Sequence, residues 1–374
     1  MTMLYARTVM IKFFSRNKSR SVGDSRDPPN GDKLRSEVST ESSSDSSGSL
    51  RSDTQLDQEK QVCEDNKGKV FTKPEDNIVL APYNYIAGLP SKNVREIFIQ
   101  GIHIWIQVPQ PALESIKSIT SILHQSSLMF DDIEDESQLR RGKPATHMLY
   151  GPAQTINSAV YALVNTFSEV QNLNSSKATE IFIDELQNLH CGQSFDLYWK
   201  YHGHIPTVEE YMMMVDHKTG GLFRLCVRLM QAKSVSSGPH LDLTNFIRLL
   251  GRFFQIRDDY QNLMSAEYSN QKGFCEDLDE AKISLPLIYH MQVSGLESNQ
   301  VKGLLFSRRP SGERLPLGMK EFILEAMKAN GAIEKTKALL QKMHNDLLTE
   351  FHQLEAGFGL KNAILEGILQ KLKI

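Results

Sequence analysis

Residues 119–135 read ITSILHQSSLMFDDIED, and this stretch decides the fold class. No residue between Ile119 and Met129 carries a formal charge, and Ile119, Ile122 and Leu123 fall on one face of a helix. This spacing predicts a helix whose apolar side is buried. The helix ends in a run of acids, so a concentrated negative charge follows an uncharged body.

Helical spacing also dominates the rest of the chain. An apolar stripe with intervals of three and four residues is formed by Leu340, Met343, Leu347, Phe351 and Leu354. Few segments alternate with period two, and segments rich in Gly and Pro separate the helical stretches. The sequence therefore predicts one all-α domain that spans residues 76–374.

The first part of the chain has a different composition. Residues 36–52 contain nine serines and almost nothing apolar. Such a segment buries too little surface to offset the entropy lost on ordering, so we expect residues 1–75 to be a disordered leader. Residues 1–23 are basic and contain no acid, which resembles a mitochondrial transit peptide. The alternative is a disordered basic leader without a targeting role.

Charge and cysteine usage exclude several classes of protein. Lys and Arg number 42 against 45 Asp and Glu, and this near-balance argues against nucleic-acid binding. No run of about 18 uncharged apolar residues is present, so no transmembrane helix is expected. The four cysteines lie far apart, which argues against a disulfide framework or a zinc ribbon. A reducing compartment, the cytoplasm by default, fits this pattern, with a mitochondrion or other organelle as the alternative.

The acids that end the first stretch suggest a metal site. Asp131, Asp132, Glu134 and Asp135 place four acids in five positions. Asp131 and Asp135 stand four residues apart and share a helix face, where like charges destabilise unless a cation lies between them. Mg²⁺ takes carboxylate oxygens, usually one or two per ion, together with substrate phosphates. The alternative is a solvated acidic helix end.

A second acidic helix supports the metal interpretation. Gln255, Asp258, Asp259 and Asn262 are spaced as one polar stripe, and the neighbouring residues are mostly apolar. A polar stripe on an otherwise buried helix needs partners. Two such helices facing each other could hold several Mg²⁺ ions.

Basic residues stand near both acidic helices. They are Lys92 and Arg95 near the start of the domain, Arg140 and Arg141 after the first acidic helix, His217 and Lys218 at the end of another helix, and Lys272 and Lys282 after the second acidic helix. Each alone could be a solvated surface charge. With two acid clusters they suggest a site for polyanions, since Arg binds phosphate bidentately and Lys acts as a point charge.

In this arrangement the chain resembles the trans-prenyltransferases, specifically geranylgeranyl diphosphate synthases of the fungal type. The resemblance covers about residues 80–374 and rests on five segments in order: residues 131–142, 151–159, 192–199, 218–223 and 254–260. It implies an all-α isoprenoid-synthase bundle around a deep central cavity, and a homodimer. The implied reaction joins isopentenyl diphosphate to an allylic diphosphate (dimethylallyl, geranyl or farnesyl) and releases diphosphate.

The resemblance also implies a role for each candidate site residue. Two to three Mg²⁺ ions per active site would be held by Asp131, Asp135 and Asp258, with Asp132 and Asp259 completing the catalytic acids. The allylic diphosphate would be bound by Arg140, Lys218, Thr219, Gln255, Asn262, Lys272 and Lys282. Isopentenyl diphosphate would be bound by Lys92, Arg95, His124 and Arg141. For His124 the residues alone favour a satisfied core histidine, and only the resemblance favours a ligand contact.

Two serines before the first acids bear on product length. Ser126 and Ser127 lie roughly 6–8 Å along the helix from Asp131, and Ser127 shares its face, so Ser127 is expected to face the cavity with Ser126 beside it. In the family, aromatic side chains at these two positions stop growth at fifteen carbons. Two small side chains therefore predict a longer product, the C20 geranylgeranyl diphosphate. The alternative is that the serines only allow close helix packing.

Two other functions compete with this one. Class I terpene cyclases also use an aspartate-rich motif and Mg²⁺, but they pair it with an Asn/Ser/Glu-type triad and do not need basic residues for a second diphosphate. A non-catalytic subunit of a prenyltransferase heteromer would typically lack one acid cluster, and both are present here.

Overall fold

A computed structural model describes residues 76–91, 93–236, 241–265, 273–293, 295–307 and 313–373. They belong to one compact unit that spans Lys67–Ile374. The leader predicted over residues 1–75, with its targeting segment, lies outside the described residues, and so do Lys92 and Lys272. The boundary at residue 76 remains a prediction.

The described residues are almost entirely helical, so the all-α prediction is confirmed. The helices are α1 Asp76–Ala87, α2 Val94–Ile106, α3 Gln110–Glu134, α4 Thr146–Tyr150, α5 Pro152–Asn172, α6 Ser176–His202, α7 Val208–Lys218, α8 Gly220–Lys233, α9 Thr244–Met264, α10 Glu276–Asp279, α11 Leu285–Gln292, α12 Leu296–Phe306, α13 Leu317–Ala329, α14 Ala332–Phe358 and α15 Ala363–Lys371.

The apolar periodicity of the sequence becomes the core. All five residues of the stripe from Leu340 to Leu354 on α14 are buried. This face packs along α9, while α3 packs along α5, and α6 packs against both α7 and α8. Among the described residues, no helix combines the length and the apolar run that crossing a bilayer would require.

A two-stranded hairpin interrupts the helical pattern just after α3. Strands β1 Leu139–Arg140 and β2 Lys143–Pro144 pair antiparallel. Arg141 and Gly142 form the turn, with φ angles of 56° and 74°. Two consecutive positive φ angles define the tight turn that suits a two-residue hairpin loop. The hairpin therefore fixes Arg140 and Arg141 beside the acidic end of α3.

Candidate active site

Two glycines allow the elements of the site to approach closely. A Cβ atom on Gly192 of α6 would lie 2.3 Å from the backbone nitrogen of Lys218, at the end of α7. A Cβ atom on Gly251 of α9 would lie 2.9 Å from the Cα atom of Gly220, the first residue of α8. The absence of a side chain at both positions brings α6 and α9 against the α7–α8 junction.

At the end of α3, the two adjacent aspartates have different surroundings. Asp132 is fully buried, and the Arg140 guanidinium donates from Nε to its Oδ1 at 2.7 Å and makes a second, shorter contact through Nη2. Burial raises the pKa of Asp132, while the Arg140 charge opposes that rise. Asp131 is half-buried, and its Oδ2 lies 3.6 Å from Nη2 of Arg140. Asp131 therefore lies on the accessible side of the site, which we call the cleft, and Asp132 anchors the hairpin.

Lysines from two other helices lie opposite the first acids. Lys200 of α6 donates from Nζ to Oδ1 of Asp135 at 2.7 Å, and Nζ of Lys218 lies 3.5 Å from Oδ1 of Asp131. Lys218 also pairs with Asp196 at 2.5 Å. Burial alone would lower the pKa of Lys218, but these carboxylates raise it above its ordinary value. Loss of hydration and the charge of Asp131 raise the pKa of Asp135.

The two aspartates of the second pair, on α9, also have different surroundings. Asp259 is fully buried and accepts hydrogen bonds from the Tyr211 hydroxyl at 2.6 Å, the Leu285 backbone N–H at 3.0 Å and Nε2 of Gln255 at 3.0 Å. Its Oδ1 also lies 3.2 Å from Nζ of Lys282. Asp258, by contrast, is half-buried. These contacts make Asp259 part of the scaffold and leave Asp258 on the cleft side.

Three of the residues predicted to bind the allylic diphosphate, Thr219, Gln255 and Lys282, lie near Asp259. Thr219 donates from Oγ1 to Oε1 of Gln255 at 2.6 Å. Lys282 also pairs with Asp277 at 3.1 Å. Burial lowers the pKa of Lys282, but neighbouring acids including Asp277, Asp259 and Asp258 raise it well above its ordinary value.

Asn262 departs from the expected polar stripe. Its side chain is buried, and its Oδ1 accepts a hydrogen bond from the Asp277 backbone N–H at 3.2 Å. It therefore holds the segment that carries Asp277 and Lys282. Its predicted contact with the allylic diphosphate stays untested, and this geometry favours a supporting role instead.

A third group consists of Arg95, His124 and Arg141. Burial, followed by the Arg141 charge, lowers the pKa of Arg95 to about 10. Burial and the charges of Arg95 and Arg141 lower the pKa of His124 well below its ordinary value. Arg141 also donates from Nη1 to the carbonyl of Leu89 at 3.2 Å. These like charges disfavour one another, so the group suits an anion.

Sequence reasoning assigned no role to Lys200, Asp196, Asp277 or Glu280. Asp196 and Lys200 stand four residues apart on α6, and that spacing was the available signal. Glu280 accepts a hydrogen bond from the Ser137 hydroxyl at 3.2 Å. Burial and the charge of Asp135 raise its pKa well above its ordinary value. Glu280 therefore lies between the two acidic helices.

The two serines before the first acids have opposite environments. Ser127 is exposed, and its hydroxyl donates to the carbonyl of His124 at 2.8 Å. Ser126 is fully buried, and its hydroxyl has no hydrogen-bond partner among the described residues. Ser127 therefore keeps its surface accessible on the face of α3 that also carries Asp131, whereas Ser126 packs inward.

The donor set of the cleft fits Mg²⁺. Asp131, Asp135 and Asp258 offer only hard carboxylate oxygens, and all three retain accessible surface. Within the described ranges, no three His, Cys, Asp or Glu side chains converge closely enough to form a metal-binding group. This is compatible with Mg²⁺, which usually takes only one or two carboxylates and completes its octahedron with waters and phosphates.

Comparison with known proteins now identifies the family. The family model described as polyprenyl synthetase matches residues 76–315, which is more than half of the chain. The chain belongs to the polyprenyl synthetase family. This family assignment agrees with the arrangement of acids and bases around the cleft.

Individual relatives extend the comparison. The chain is 58% identical over 312 residues to quiannulatene synthase of Emericella variicolor, which covers 83% of this chain and 42% of that protein. It is 56% identical over 302 residues to geranylgeranyl pyrophosphate synthase 3 of Zymoseptoria tritici, covering 81% of this chain and 83% of that protein. It is 50% identical over 302 residues to colleterpenol synthase of Colletotrichum gloeosporioides, covering 80% of this chain and 39% of that protein. The chain thus spans less than half the length of quiannulatene synthase and of colleterpenol synthase.

Proposed function

We propose that the chain is a Mg²⁺-dependent geranylgeranyl diphosphate synthase. It would condense isopentenyl diphosphate with dimethylallyl, geranyl or farnesyl diphosphate and release diphosphate. The observation that carries the proposal is the presence of two separate basic groups beside the first acids. Lys218 contacts Asp131, while Arg95 and His124 lie with Arg141 at the hairpin. Two basic groups suit two diphosphates, whereas a cyclase binds one.

Each group has a chemical task in this reaction. Asp131, Asp135 and Asp258 would hold two to three Mg²⁺ ions, which supply charge that stabilises the leaving diphosphate. Lys218, Thr219, Gln255 and Lys282 would donate hydrogen bonds to the same leaving group. Arg95, His124 and Arg141 would hold the second substrate by its diphosphate.

Asp132 and Asp259 act as positioning residues in this proposal. Asp132 orients Arg140, and Asp259 orients Gln255 and Lys282, through the contacts described above. Both carboxylates are fully buried. They fix the direction of the donors rather than contact the substrate.

We also propose a homodimer that forms through α5. Val160, Val164 and Phe167 expose 44%, 55% and 38% of their surface and follow one another at intervals of four and three residues. Phe167 packs edge-on against Phe182 of α6 at 5.1 Å, so the stripe is continuous with that helix. A second copy would bury this stripe. Sedimentation should give a dimer for the wild type and a monomer for Val164→Glu, with Val235→Glu as an exposed control.

The names of the relatives suggest how the product is used. Two of the three proteins compared are named as synthases of products other than geranylgeranyl diphosphate, and both are much longer than this chain. This chain matches only part of each of those two proteins. In the proposal, the prenyl diphosphate that it makes is a substrate either for cyclisation or for protein prenylation. Cyclisation is favoured by those names.

Product analysis tests the proposal. The purified protein is incubated with Mg²⁺, isopentenyl diphosphate and each of the three allylic primers. The products are dephosphorylated, and their masses are measured by mass spectrometry. A C20 alcohol from all three primers supports the proposal. A cyclic hydrocarbon, or no consumption of isopentenyl diphosphate, rejects it.

A variant at Ser127 tests the chain-length part. Ser127→Phe places an aromatic ring on the Asp131 face of α3, where the proposal has the prenyl chain run, so the main product should shorten to C15 while the rate of primer consumption stays near that of the wild type. Ser121→Phe, exposed on the same helix, is the matched control and should still give C20. Mainly C20 from Ser127→Phe at a normal rate would contradict this account of the wall.

A further inference from the structure

The end of α7 is held by arginines from two other helices. This helix ends at Lys218, and Thr219 alone separates it from α8. From α8, Arg224 folds back and donates through Nη1 to the backbone carbonyl of Asp216. From α9, Arg252 donates to both carboxylate oxygens of Asp216, from Nε at 2.7 Å and from Nη2 at 2.6 Å. Both arginines therefore act on a residue two positions before Lys218.

Arg224 is anchored on a buried acid of α6. Its Nε donates to both carboxylate oxygens of Glu185 at 3.2 Å, and its Nη2 donates to Oε2 at 2.8 Å. Glu185 is fully buried, and Arg228, on the next turn of α8, donates to its Oε1 at 2.7 Å. Burial tends to raise the pKa of Glu185, but the bonds from Arg224 and Arg228 hold it below its ordinary value. The acid therefore stays charged and fixes the direction of the Arg224 guanidinium.

The chain leaves room for the contact between Arg224 and α7. A Cβ atom on Gly220 would lie 3.2 Å from Nη1 of Arg224, which is tighter than most Cβ contacts. The carbonyl that this nitrogen binds belongs to the last turn of α7, where carbonyls lack helical donors and the helix dipole favours a cation. One guanidinium meets both needs. We call Glu185, Asp216, Arg224 and Arg252 the α7 clamp.

The clamp lies next to two candidate ligands of the allylic diphosphate. Lys218 and Thr219 follow Asp216 by two and three residues. The Thr219 hydroxyl donates to Gln255, which stands one turn beyond Arg252 on α9, so α9 binds the end of α7 at two points. We propose that the α7 clamp positions Lys218 and Thr219 for the leaving diphosphate. The inference rests on the proposed function, which places these two residues on the allylic substrate.

A lysine at a helix end needs such support because its backbone lies where helices fray. A displacement of about 1 Å in a group that binds the substrate can cost a large factor in rate. The bonds of the clamp join ionised groups, or a cation and a carbonyl, and bonds of this kind are stronger than neutral ones. They hold the end of α7 from α6, through Arg224, and from α9. The clamp thus acts on the substrate through Lys218 and Thr219 and makes no contact with it.

Binding measured without turnover tests the inference. Calorimetry with Mg²⁺ gives the affinity for farnesyl diphosphate alone and for isopentenyl diphosphate alone. Arg224→Gln should weaken farnesyl diphosphate about fivefold and leave isopentenyl diphosphate within about twofold of the wild type. Arg228→Gln is the matched control, because Arg228 binds the same Glu185 but has Asp184 of α6 as its other partner. This control should leave both affinities unchanged.

Two further variants guard against a loss of fold. Arg224→Gln leaves Glu185 paired with Arg228, so its melting temperature should stay near that of Arg228→Gln. Asp216→Asn keeps the backbone carbonyl but removes the charge that binds Arg252, and it should weaken farnesyl diphosphate about threefold.

A double-mutant cycle shows whether the clamp acts through the lysine. In a Lys218→Met background, Arg224→Gln should weaken farnesyl diphosphate by less than about twofold more, whereas independent sites would multiply their effects. Multiplied effects, equal weakening of both substrates, or equal affinities of Arg224→Gln and Arg228→Gln for farnesyl diphosphate would overturn the inference.

The behaviour of the wild type separates this inference from the proposed function. A wild-type chain that binds farnesyl diphosphate but elongates no primer would reject the proposed function, and the binding comparison would still decide the role of the clamp. A wild-type chain that does not bind farnesyl diphosphate would reject both.

Discussion

The two aspartate pairs, Asp131-Asp132 on α3 and Asp258-Asp259 on α9, each combine one accessible acid with one buried acid, but the buried acids have different partners. In each pair the second acid is fully buried against a cation, Arg140 in one case and Lys282 in the other. In each pair the first acid keeps accessible surface. The two acids of a pair therefore have different roles, because one of them is buried and stabilises the surrounding structure.

The pairs differ in how completely the buried acid is satisfied. Asp259 has donors from a tyrosine, a backbone N–H, a glutamine and a lysine. Asp132 relies on Arg140, and its Oδ2 accepts no hydrogen bond from the described residues. Asp259 ties four elements together, whereas Asp132 ties one hairpin to one helix. The second pair should therefore matter more for stability.

The largest expected effect is the loss of turnover when an acid on the cleft side is removed. Asp131→Ala should lower turnover by about 10³-fold or more, because charge stabilisation of the leaving group is lost. Its melting temperature should change little, since the substitution removes a charge that repels Asp135. Turnover with and without Mg²⁺, together with circular dichroism, measures both. Asp346→Ala, at a partly exposed acid on α14 that pairs with Lys342, is the control. Near-wild-type turnover of Asp131→Ala would contradict the claim that the accessible acid of the pair acts in the reaction.

The next effect concerns the buried acids. Asp259→Ala leaves the Tyr211 hydroxyl and the Leu285 N–H without their acceptor and removes one of the two carboxylates paired with Lys282, so the free energy of unfolding should fall by about 3–5 kcal/mol. Asp258→Ala should leave it within about 0.5 kcal/mol of the wild type while turnover is lost. Urea denaturation monitored by circular dichroism gives both values. Equal loss of stability in the two variants would show that the division between the acids is wrong.

A smaller effect concerns pH and the basic group at the hairpin. Burial and three arginines, Arg95, Arg141 and Arg140, hold the pKa of His124 well below 6.5, so the folded protein binds this proton more weakly than the unfolded chain does. Stability should therefore fall as the pH drops below about 6.5. His124→Gln should be less sensitive to pH over that range. Denaturation midpoints at pH 7.5, 6.5 and 5.5 measure the difference, and identical slopes for both proteins would contradict it.

The sequence predicted the helical fold and the positions of the two aspartate pairs on their helices, because both follow from spacing along single helices. The stripe on α14 and the acids at the ends of α3 and α9 needed no knowledge of long-range packing. The role of Lys200 could not be predicted in this way, since its partner Asp135 lies on another helix. Likewise, spacing placed Asn262 on the stripe with Asp258, but the fold turned its amide toward the Asp277 backbone.

Crossed kinetics of two variants test most directly the central claim that two basic groups receive two different diphosphates. Arg141→Met and Lys218→Met each remove one cation, from the hairpin group and from the end of α7. KM is measured for isopentenyl diphosphate and for farnesyl diphosphate with each variant at saturating Mg²⁺. The account predicts that Arg141→Met raises KM about tenfold or more for isopentenyl diphosphate alone, and that Lys218→Met does so for farnesyl diphosphate alone. A rise for the same substrate in both variants would contradict it.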